Sequence, residues 1–433
     1  MMNGVILRSR SELPVQPLIV IGQPGDKRTG GIQQARRRLG LPPALVVPYA
    51  QLLQGNSLQQ LLAEQGWPPP HPAAGPEAAG SAPGSPAALL RLESPGGSFA
   101  VERAIIALGA PDAEDSDDSL HPHAHRADPR PLSVKTARQL RELPGVLHHP
   151  SQWFRGYCRL LARLAREART ILPQARWVND PAEVAAMTDK RRAQQLLGAA
   201  GVPVPRPLGS GAQLEDYASL REAMLQQRMH RVFIKLACGS AASGVMAYQV
   251  HPATGAEVAV TTVGVEHYIT RPPVYYNSGK LRQYTDPATI RGIIDWICRH
   301  GAYAEQWIPK SSSGGKAFDI RQLVVMGEAC HAVARVSSSP ITNLHLRSER
   351  MTPGEAGLSA ETQARVRGTA EQALAAFPGS AIAGVDVLVA AGSQRTYVAD
   401  INPFGDLLYG VEYGGLGTYE WEMQALTVKE RYL

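Results

Sequence analysis

Apolar residues fall along this chain in short runs of strand length, separated by stretches with helical spacing or turn chemistry. The first run, PLIVIG at 17–22, predicts a strand. A loop of Gly22, Gln23, Pro24, Gly25 and Asp26 follows, then a basic helical pattern from about Thr29 to Leu39, then a second short run, Leu45 to Tyr49. Strand, helix, strand in this order predicts an α/β unit with parallel strands. The glycines of that loop do not form GxGxxG, so a dinucleotide site is not expected there. A further run, Leu90-Arg91-Leu92-Glu93, stops at a Pro-Gly turn and precedes a helical pattern from Phe99 to Leu108. Arg91 and Glu93 either face a shared cleft or pair with each other.

Long helical patterns cover about 152–171 and 181–200. The second stops at Gly201 with prolines just beyond, the expected terminators. From Val232 onward the chain turns strand-rich. Two late strands carry oxygen donors: 383–389 holds Asp386, and 397–403 holds Asp400 and Asn402. Asp386 and Asp400 are fourteen positions apart with Gly392 and Ser393 between them, the layout of neighbouring strands joined by a tight connection. Two readings stand: capping or turn-forming acids on ordinary strands, or a hard-oxygen site for Mg²⁺ shared with nucleotide phosphates.

Composition narrows the class. A length of 433 residues suggests about two to four structural units. Hydrophobic content of 44% and charged content of 19% are those of a soluble globular protein. No apolar run reaches the roughly eighteen residues of a membrane span, and no leader-like segment is expected at the N-terminus. The net charge of +6 comes with no aromatic interleaving of its basic stretches, so a nucleic-acid partner is not expected. It suits anionic ligands instead. Cys158, Cys238, Cys298 and Cys330 are scattered without a CxxC pair, which points to a reducing cytoplasm. Residues 66–88 are rich in Pro, Gly and Ala and read as a flexible loop. Residues 111–131 read as a second one, with an acidic run and then His121, His123 and His125; alternating histidines could bind a metal, but the low complexity around them favours a disordered connection.

Candidate chemistry lies between these landmarks. Lys190 stands early on a helix. Lys235 sits inside a short apolar strand, where it must reach water or an anion. Behind it, Gly239, Ser240, Ser243 and Gly244 form a small flexible loop that lets backbone N–H groups approach phosphate. It is not a P-loop, since GxxxxGK[ST] is absent. The strand around Glu305, Gln306, Trp307 and Ile308 enters a Pro-containing connection that could present backbone groups to an adenine edge. Asp319 and Arg321 share one face of a strand by their i, i+2 spacing, Arg335 follows on the next strand, and Asn343 lies in the loop beyond. Tyr409 to Trp421 either walls a pocket or caps the fold.

Taken in order, Asp189-Lys190, Ile234-Lys235 with its Gly/Ser loop, Gln306-Trp307-Ile308, Asp319-Ile320-Arg321, Arg335 with Thr342-Asn343-Leu344, Gly384-Val385-Asp386 and Asp400-Ile401-Asn402 resemble the ATP-grasp superfamily of carboxylate–amine ligases. The C-terminal lobe is most similar to its ribosomal-protein-S6-modifying and glutathione-synthetase-like branch, and the whole chain resembles a poorly characterised bacterial subfamily. The resemblance spans 188 to about 406, roughly half the chain.

The resemblance implies an α/β fold: an N-terminal Rossmann-like pre-ATP-grasp domain (1–150), a connecting helix (151–184), a small lid lobe (185–308) and a C-terminal lobe with the Mg²⁺ site (309–433). It implies that Lys190 and Lys235 hold the α- and β-phosphates, that 239–244 closes over the triphosphate, and that Gln306 to Ile308 bind adenine, with Glu305 beside them among the cofactor-binding residues. Asp386, Asp400 and Asn402 would hold Mg²⁺, with Mn²⁺ as a substitute. Arg335 and Lys235 would serve catalysis, and Arg321 and Asn343 substrate binding. Two departures stand out: Asp400 replaces the usual Glu, and Ile341 and Arg347-Ser348 replace an Arg and a Gly pair. The implied activity is a cytoplasmic ligase joining small-molecule or peptide carboxylates and amines through an acyl phosphate, with oligomerisation open. Alternatives are a phosphotransferase and a non-catalytic ATP-binding regulator.

Overall fold

The computed structural model describes residues 16–67, 88–125, 128, 130–209, 214–239, 243–343 and 348–429. Nearly all of the 66–88 segment, Ser240 and part of the 341–346 loop lie outside them. The chain is α/β, built on three sheets.

The first sheet is parallel. It comprises β1 (Leu18–Gly22), β2 (Leu45–Pro48), β3 (Leu89–Leu92) and β4 (Arg176–Trp177) in the order β2-β1-β3-β4. β1 and β3 are buried on both faces, as parallel strands between helices are. Around them lie α1 (Lys27–Arg38), α2 (Tyr49–Leu53), α3 (Leu58–Glu64), α4 (Phe99–Leu108), α5 (Val134–Arg138) and the long α6 (Pro150–Ile171). α4 and α6 cross so closely that a Cβ on Gly156 would sit 1.9 Å from Ile105 O, and one on Gly109 would sit 2.0 Å from Gln152 O.

At the head of the 111–131 segment, expected as a disordered connection, Ala110 and Asp118 are hydrogen-bonded to α6. α6 carries Arg155 and Arg159 on the face turned to that segment. Arg159 donates to Leu108 O at 2.9 Å, Ala110 O at 3.0 Å and both Asp118 oxygens, so 110–118 is fastened to the helix. The acids answer the arginines of α6, which low complexity conceals. His121 packs on Phe154 and accepts from His123 N–H at 3.0 Å, and His123 lies 3.7 Å from Asp189; among the described residues no group of three or more His, Cys, Asp or Glu side chains is placed to hold a metal ion.

The helix expected over 181–200 is two: α7 (Pro181–Thr188) and α8 (Lys190–Ala199). Asp189 interrupts them with extended backbone and N-caps α8 by accepting from Arg191 and Arg192 N–H. After α9 (Tyr217–Gln226) comes a five-stranded antiparallel sheet, β5 (Arg231–Leu236), β6 (Val245–Val250), β7 (Glu257–Glu266), β8 (Val274–Tyr284) and β9 (Ala302–Gln306), in the order β8-β7-β6-β5-β9. α10 (Pro287–Arg299) backs it. Asp286 caps this helix and Pro287 opens it. Ile290, Ile293, Ile294 and Ile297 recur at 3–4 residue spacing and are fully buried, each contributing roughly 1.5–3 kcal/mol.

The third sheet is antiparallel: β10 (Ser312–Ser313), β11 (Lys316–Val325), β12 (Glu328–Ser337), β13 (Glu349–Met351), β14 (Ile382–Val389) and β15 (Thr396–Asn402), with β13-β12-β11-β14-β15 as its path and β10 beside β11. α11 (Ala360–Ala375) covers one face, together with Met187, Ala193 and Leu197 from α7 and α8. α12 (Thr418–Lys429) returns to α1, where a Cβ on Gly31 would meet the Tyr419 ring at 2.6 Å. Tyr413 stacks edge-on to Trp421 and bonds Glu328, so the 409–421 segment serves at least as a cap. Among the described residues no helix is long and apolar enough to cross a membrane. The four cysteines are buried and unbridged.

Candidate active site

Register places the charged residues of the third sheet on one face. Asp319 pairs with Arg335 across β11/β12, Arg321 with Asp386 across β11/β14, and Asp386 with Asp400 across β14/β15, with an irregularity just after Asp386. Directly paired residues in a sheet point to the same side, so the i, i+2 relation of Asp319 and Arg321 extends into a row across four strands. The opposite face is apolar and packs on α11.

The row is electrostatically alternating. Arg335 Nε donates to Asp319 Oδ1 at 2.7 Å and its Nη2 lies 3.0 Å from Asp386 Oδ2. Arg321 Nη1 donates to Asp386 Oδ1 at 2.6 Å, and its Nε to Asp406 Oδ2 at 2.7 Å. Lys310 Nζ lies 3.3 Å from Asp319 Oδ2 and donates to Thr342 Oγ1 at 2.5 Å. Burial drives the Asp319 carboxyl up, but Arg335 and Lys310 outweigh it and hold the group down to about 2. Burial pushes the Lys310 ammonium below its ordinary value, only partly offset by Asp319. The Asp406 carboxyl also lies low: desolvation is overcome by Arg321 and Arg28.

The lysines come from α8 and from β5 of the second sheet. α8 rests on the edge of the third sheet, where Gln194 donates to Ala399 O at 3.1 Å. Lys190, the first residue of α8, is thereby held over β15, with Nζ 3.0 Å from Gly239 O and 3.1 Å from Asp400 Oδ2. Lys235 reaches across from β5: Nζ donates to Ala399 O at 2.9 Å and lies 2.5 Å from Glu305 Oε1. Glu305 is buried, and desolvation raises its carboxyl against the opposing pull of Lys235. Its side chain therefore faces Lys235.

The Gly/Ser loop needs its glycines. A Cβ on Gly239 would sit 2.6 Å from Ser243 O, and Gly244 has φ +67 with Leu236 2.6 Å from its Cβ position. Ser243 Oγ accepts from Asn277. Beyond Glu305, Gln306 N–H donates to Arg206 O and Trp307 N–H to Arg231 O, while the Trp307 ring packs on Phe233. Ile308 is buried with Leu388 and Ala390. The N–H groups of Gln306 and Trp307 are thus spent inside the protein. In the loop after β12, Asn343 N–H donates to Ser348 Oγ.

Lys310 and Asp406 join this charged network as supporting partners that the motifs do not single out. The signals were present: a lone lysine between Pro309 and a Ser/Gly run, and an acid four positions past Asn402.

The donor set Asp386, Asp400 and Asn402 suits a hard cation. Asn402 spends its amide nitrogen on Gly384 O at 3.2 Å, which leaves the amide oxygen as the available end. Two carboxylates and one amide leave most of an octahedral shell to phosphate and water, as Mg²⁺ with nucleotide prefers.

No family model matches the chain, and no curated protein matches it. Solved structures do. An ATP-grasp ligase, PsnB, complexed with a phosphomimetic variant of minimal precursor, Mg and ADP, is 14% identical, with 96% of this chain and 99% of that one covered and a TM-score of 0.46. D-cycloserine synthetase DcsG is 13% identical, with 96% and 100% covered and a TM-score of 0.47. The ADP complex of purK, N5-carboxyaminoimidazole ribonucleotide synthetase, is 10% identical, with 96% and 78% covered and a TM-score of 0.48.

Proposed function

We propose that this chain is an ATP-grasp enzyme, an ATP- and Mg²⁺-dependent ligase that joins a carboxylate to an amine through an acyl phosphate. One observation carries the reading. Lys235 of β5 and Lys190 of α8 reach onto Ala399 and Asp400 of β15, the strand that pairs Asp400 with Asp386 and also bears Asn402. Two anion-binding cations and a hard-oxygen donor set therefore share one gap between two antiparallel sheets.

The chemistry needs this pairing. A carboxylate that attacks the γ-phosphate of ATP brings anion against anion, so the barrier is chiefly electrostatic. When bound, Mg²⁺ would neutralise phosphate charge and polarise the transferred group. Lys190 and Lys235 would hold phosphate oxygens, each leaving its present partner, Asp400 or Glu305. Arg335, buried and fixed by Asp319, would steady the transferred phosphoryl group, and Arg321 would orient the carboxylate substrate. An amine then attacks the acyl phosphate and phosphate departs. The loop 239–244 would close the site against water. The substrates on this reading are small molecules or peptides carrying carboxylate and amine groups, in the cytoplasm.

The test is incubation with ATP, Mg²⁺ and pools of amino acids and peptides, read as ADP and phosphate release and as new condensed masses. Release that depends on a pool supports the reading; none across broad pools counts against it. A second reading, an ATP-binding regulator without turnover, draws on the pairing of both Asp386 oxygens with arginine. Nucleotide affinity indifferent to Mg²⁺ would favour it.

A further inference from the structure

We propose that Lys310 is a positioning residue that ties the connection after β9 to the loop after β12 through Asp319. This rests on the nucleotide-ligase reading for its function, although the tie itself does not.

The main chain at Lys310 is fixed. Ala391 N–H donates to Pro309 O at 2.8 Å, Ser311 N–H donates to Val389 O at 2.7 Å, and Lys310 bridges to Ala390 at the end of β14. Lys310 stands two residues past Ile308, on the connection assigned to the nucleotide base. Its ammonium is withdrawn from water and bound to Asp319 and Thr342. Thr342 Oγ1 in turn donates to the same Asp319 oxygen, and Thr342 is itself buried at the base of the loop that carries Asn343. The other Asp319 oxygen holds Arg335. One carboxylate therefore gathers three elements: the post-β9 connection, the post-β12 loop and the Arg335 strand.

An ion pair kept only for stability has no need to be here. A buried lysine is costly to desolvate, and an apolar residue of similar size serves a core as well or better. What the lysine adds is directional: its ammonium bonds both Asp319 and Thr342 while its main chain is fixed beside β14, so a shift on the nucleotide side reaches the loop on the substrate side. Asp319, Arg335 and Thr342 are the charged and polar groups in contact with it or its carboxylate.

The experiment is hydrogen–deuterium exchange of full-length protein, alone and with Mg²⁺ and a non-hydrolysable ATP analogue, for the native chain, Lys310→Met, Lys310→Arg and Thr342→Val. In the native chain the analogue should slow exchange over 338–343 and at 348. In Lys310→Met the analogue should bind within about 3-fold of native, yet the slowing should vanish, with Lys310→Arg restoring at least half. Without analogue, Lys310→Met should speed exchange over 341–343 about 10-fold and leave 383–389 unchanged. Full slowing in Lys310→Met, or a native loop indifferent to a bound analogue, overturns the proposal. Should the analogue fail to bind native protein, the ligase reading falls, and the nucleotide-free comparison still decides the tie: unchanged loop exchange overturns it. Thr342→Val removes only the hydroxyl and must reproduce the loss if Lys310→Met does not fold.

Discussion

Arg321 holds Asp386: its Nη1 lies 2.6 Å from one carboxylate oxygen, while Arg335 Nη2 takes the other at 3.0 Å. A cation at Asp386 must compete with two guanidinium groups. Removing one cation from a site at about 5 Å changes the electrostatics by several kcal/mol at an effective dielectric of about 20. Arg321→Met should therefore tighten Mg²⁺ binding in the presence of nucleotide by about 10-fold or more, measured by Mg²⁺ titration of nucleotide-bound protein. Weaker Mg²⁺ binding in that variant would mean that Asp386 is a structural partner of Arg321 and not a metal ligand.

Lys190 is the complementary case. Its pair with Asp400 is partly exposed, with side chains 11% and 21% accessible, so it contributes little to stability. Lys190→Met should leave the melting temperature within a few degrees and weaken nucleotide binding about 10-fold or more at fixed Mg²⁺. A calorimetric titration that shows unchanged nucleotide affinity would remove Lys190 from the phosphate site.

Much of this geometry was legible in the sequence, for physical reasons. A carboxylate in an apolar run such as Gly384-Val385-Asp386-Val387 has to be met by a partner. The fourteen-residue spacing to Asp400 implied a strand pair, which the register of β14 and β15 realises. The break at Asp189 was not legible, because helical periodicity runs through it and only the extended backbone of the cap reveals two helices. The docking of 110–118 was also hidden. A low-complexity acidic run looks the same whether it is solvated or fastened, and what fastens it is Arg159, some forty positions away. The pairing of Glu305 with Lys235 was hidden too, because β5 and β9 become neighbours only in the folded sheet.

The crossing of α4 and α6 depends on glycine at both helices. At Gly156 an added Cβ would meet Ile105 O at 1.9 Å and Gly109 N at 2.7 Å, both backbone atoms that cannot rotate away. The helices must separate to admit it, losing packing among Ile105, Phe154 and Tyr157. Gly156→Ala should cost about 2–4 kcal/mol despite the better helix propensity of alanine, read by chemical denaturation. A stabilised or neutral variant would show that the two helices can part without loss.

Glu422 makes stability depend on pH. It is fully buried on α12, with Oε2 2.8 Å from Arg91 Nη1, and Arg91 also serves Glu93 through its Nε at 2.6 Å. Arg28 lies 3.6 Å from Glu93 as a second, partly exposed cation. Burial raises the Glu422 carboxyl from 4.5 to about 7, against the pull of Arg91 and with the help of Glu93. A carboxyl raised on folding binds more protons in the native state than in the unfolded one. Stability is therefore greatest below pH about 4.5 as far as this group is concerned, falls as pH rises to about 7, and levels above it. The full swing is about 3 kcal/mol, from the rise between 4.5 and about 7 at about 1.36 kcal/mol per pH unit. Asp319 contributes with the opposite slope between about 2 and 3.8. The partly buried His121 and His300, which desolvation lowers from 6.5 to about 4 and about 3, also contribute with the opposite slope, inside this window, so the readout is the difference between native protein and variant. Glu422→Gln, neutral at every pH and close in shape, should gain in melting temperature relative to native protein as pH rises from 5 to 8 and be at least as stable as native protein at pH 8. Parallel pH profiles in the two proteins would show that Glu422 stays ionised against Arg91 throughout, and a marked loss at pH 8 would show that Arg91 depends on that charge.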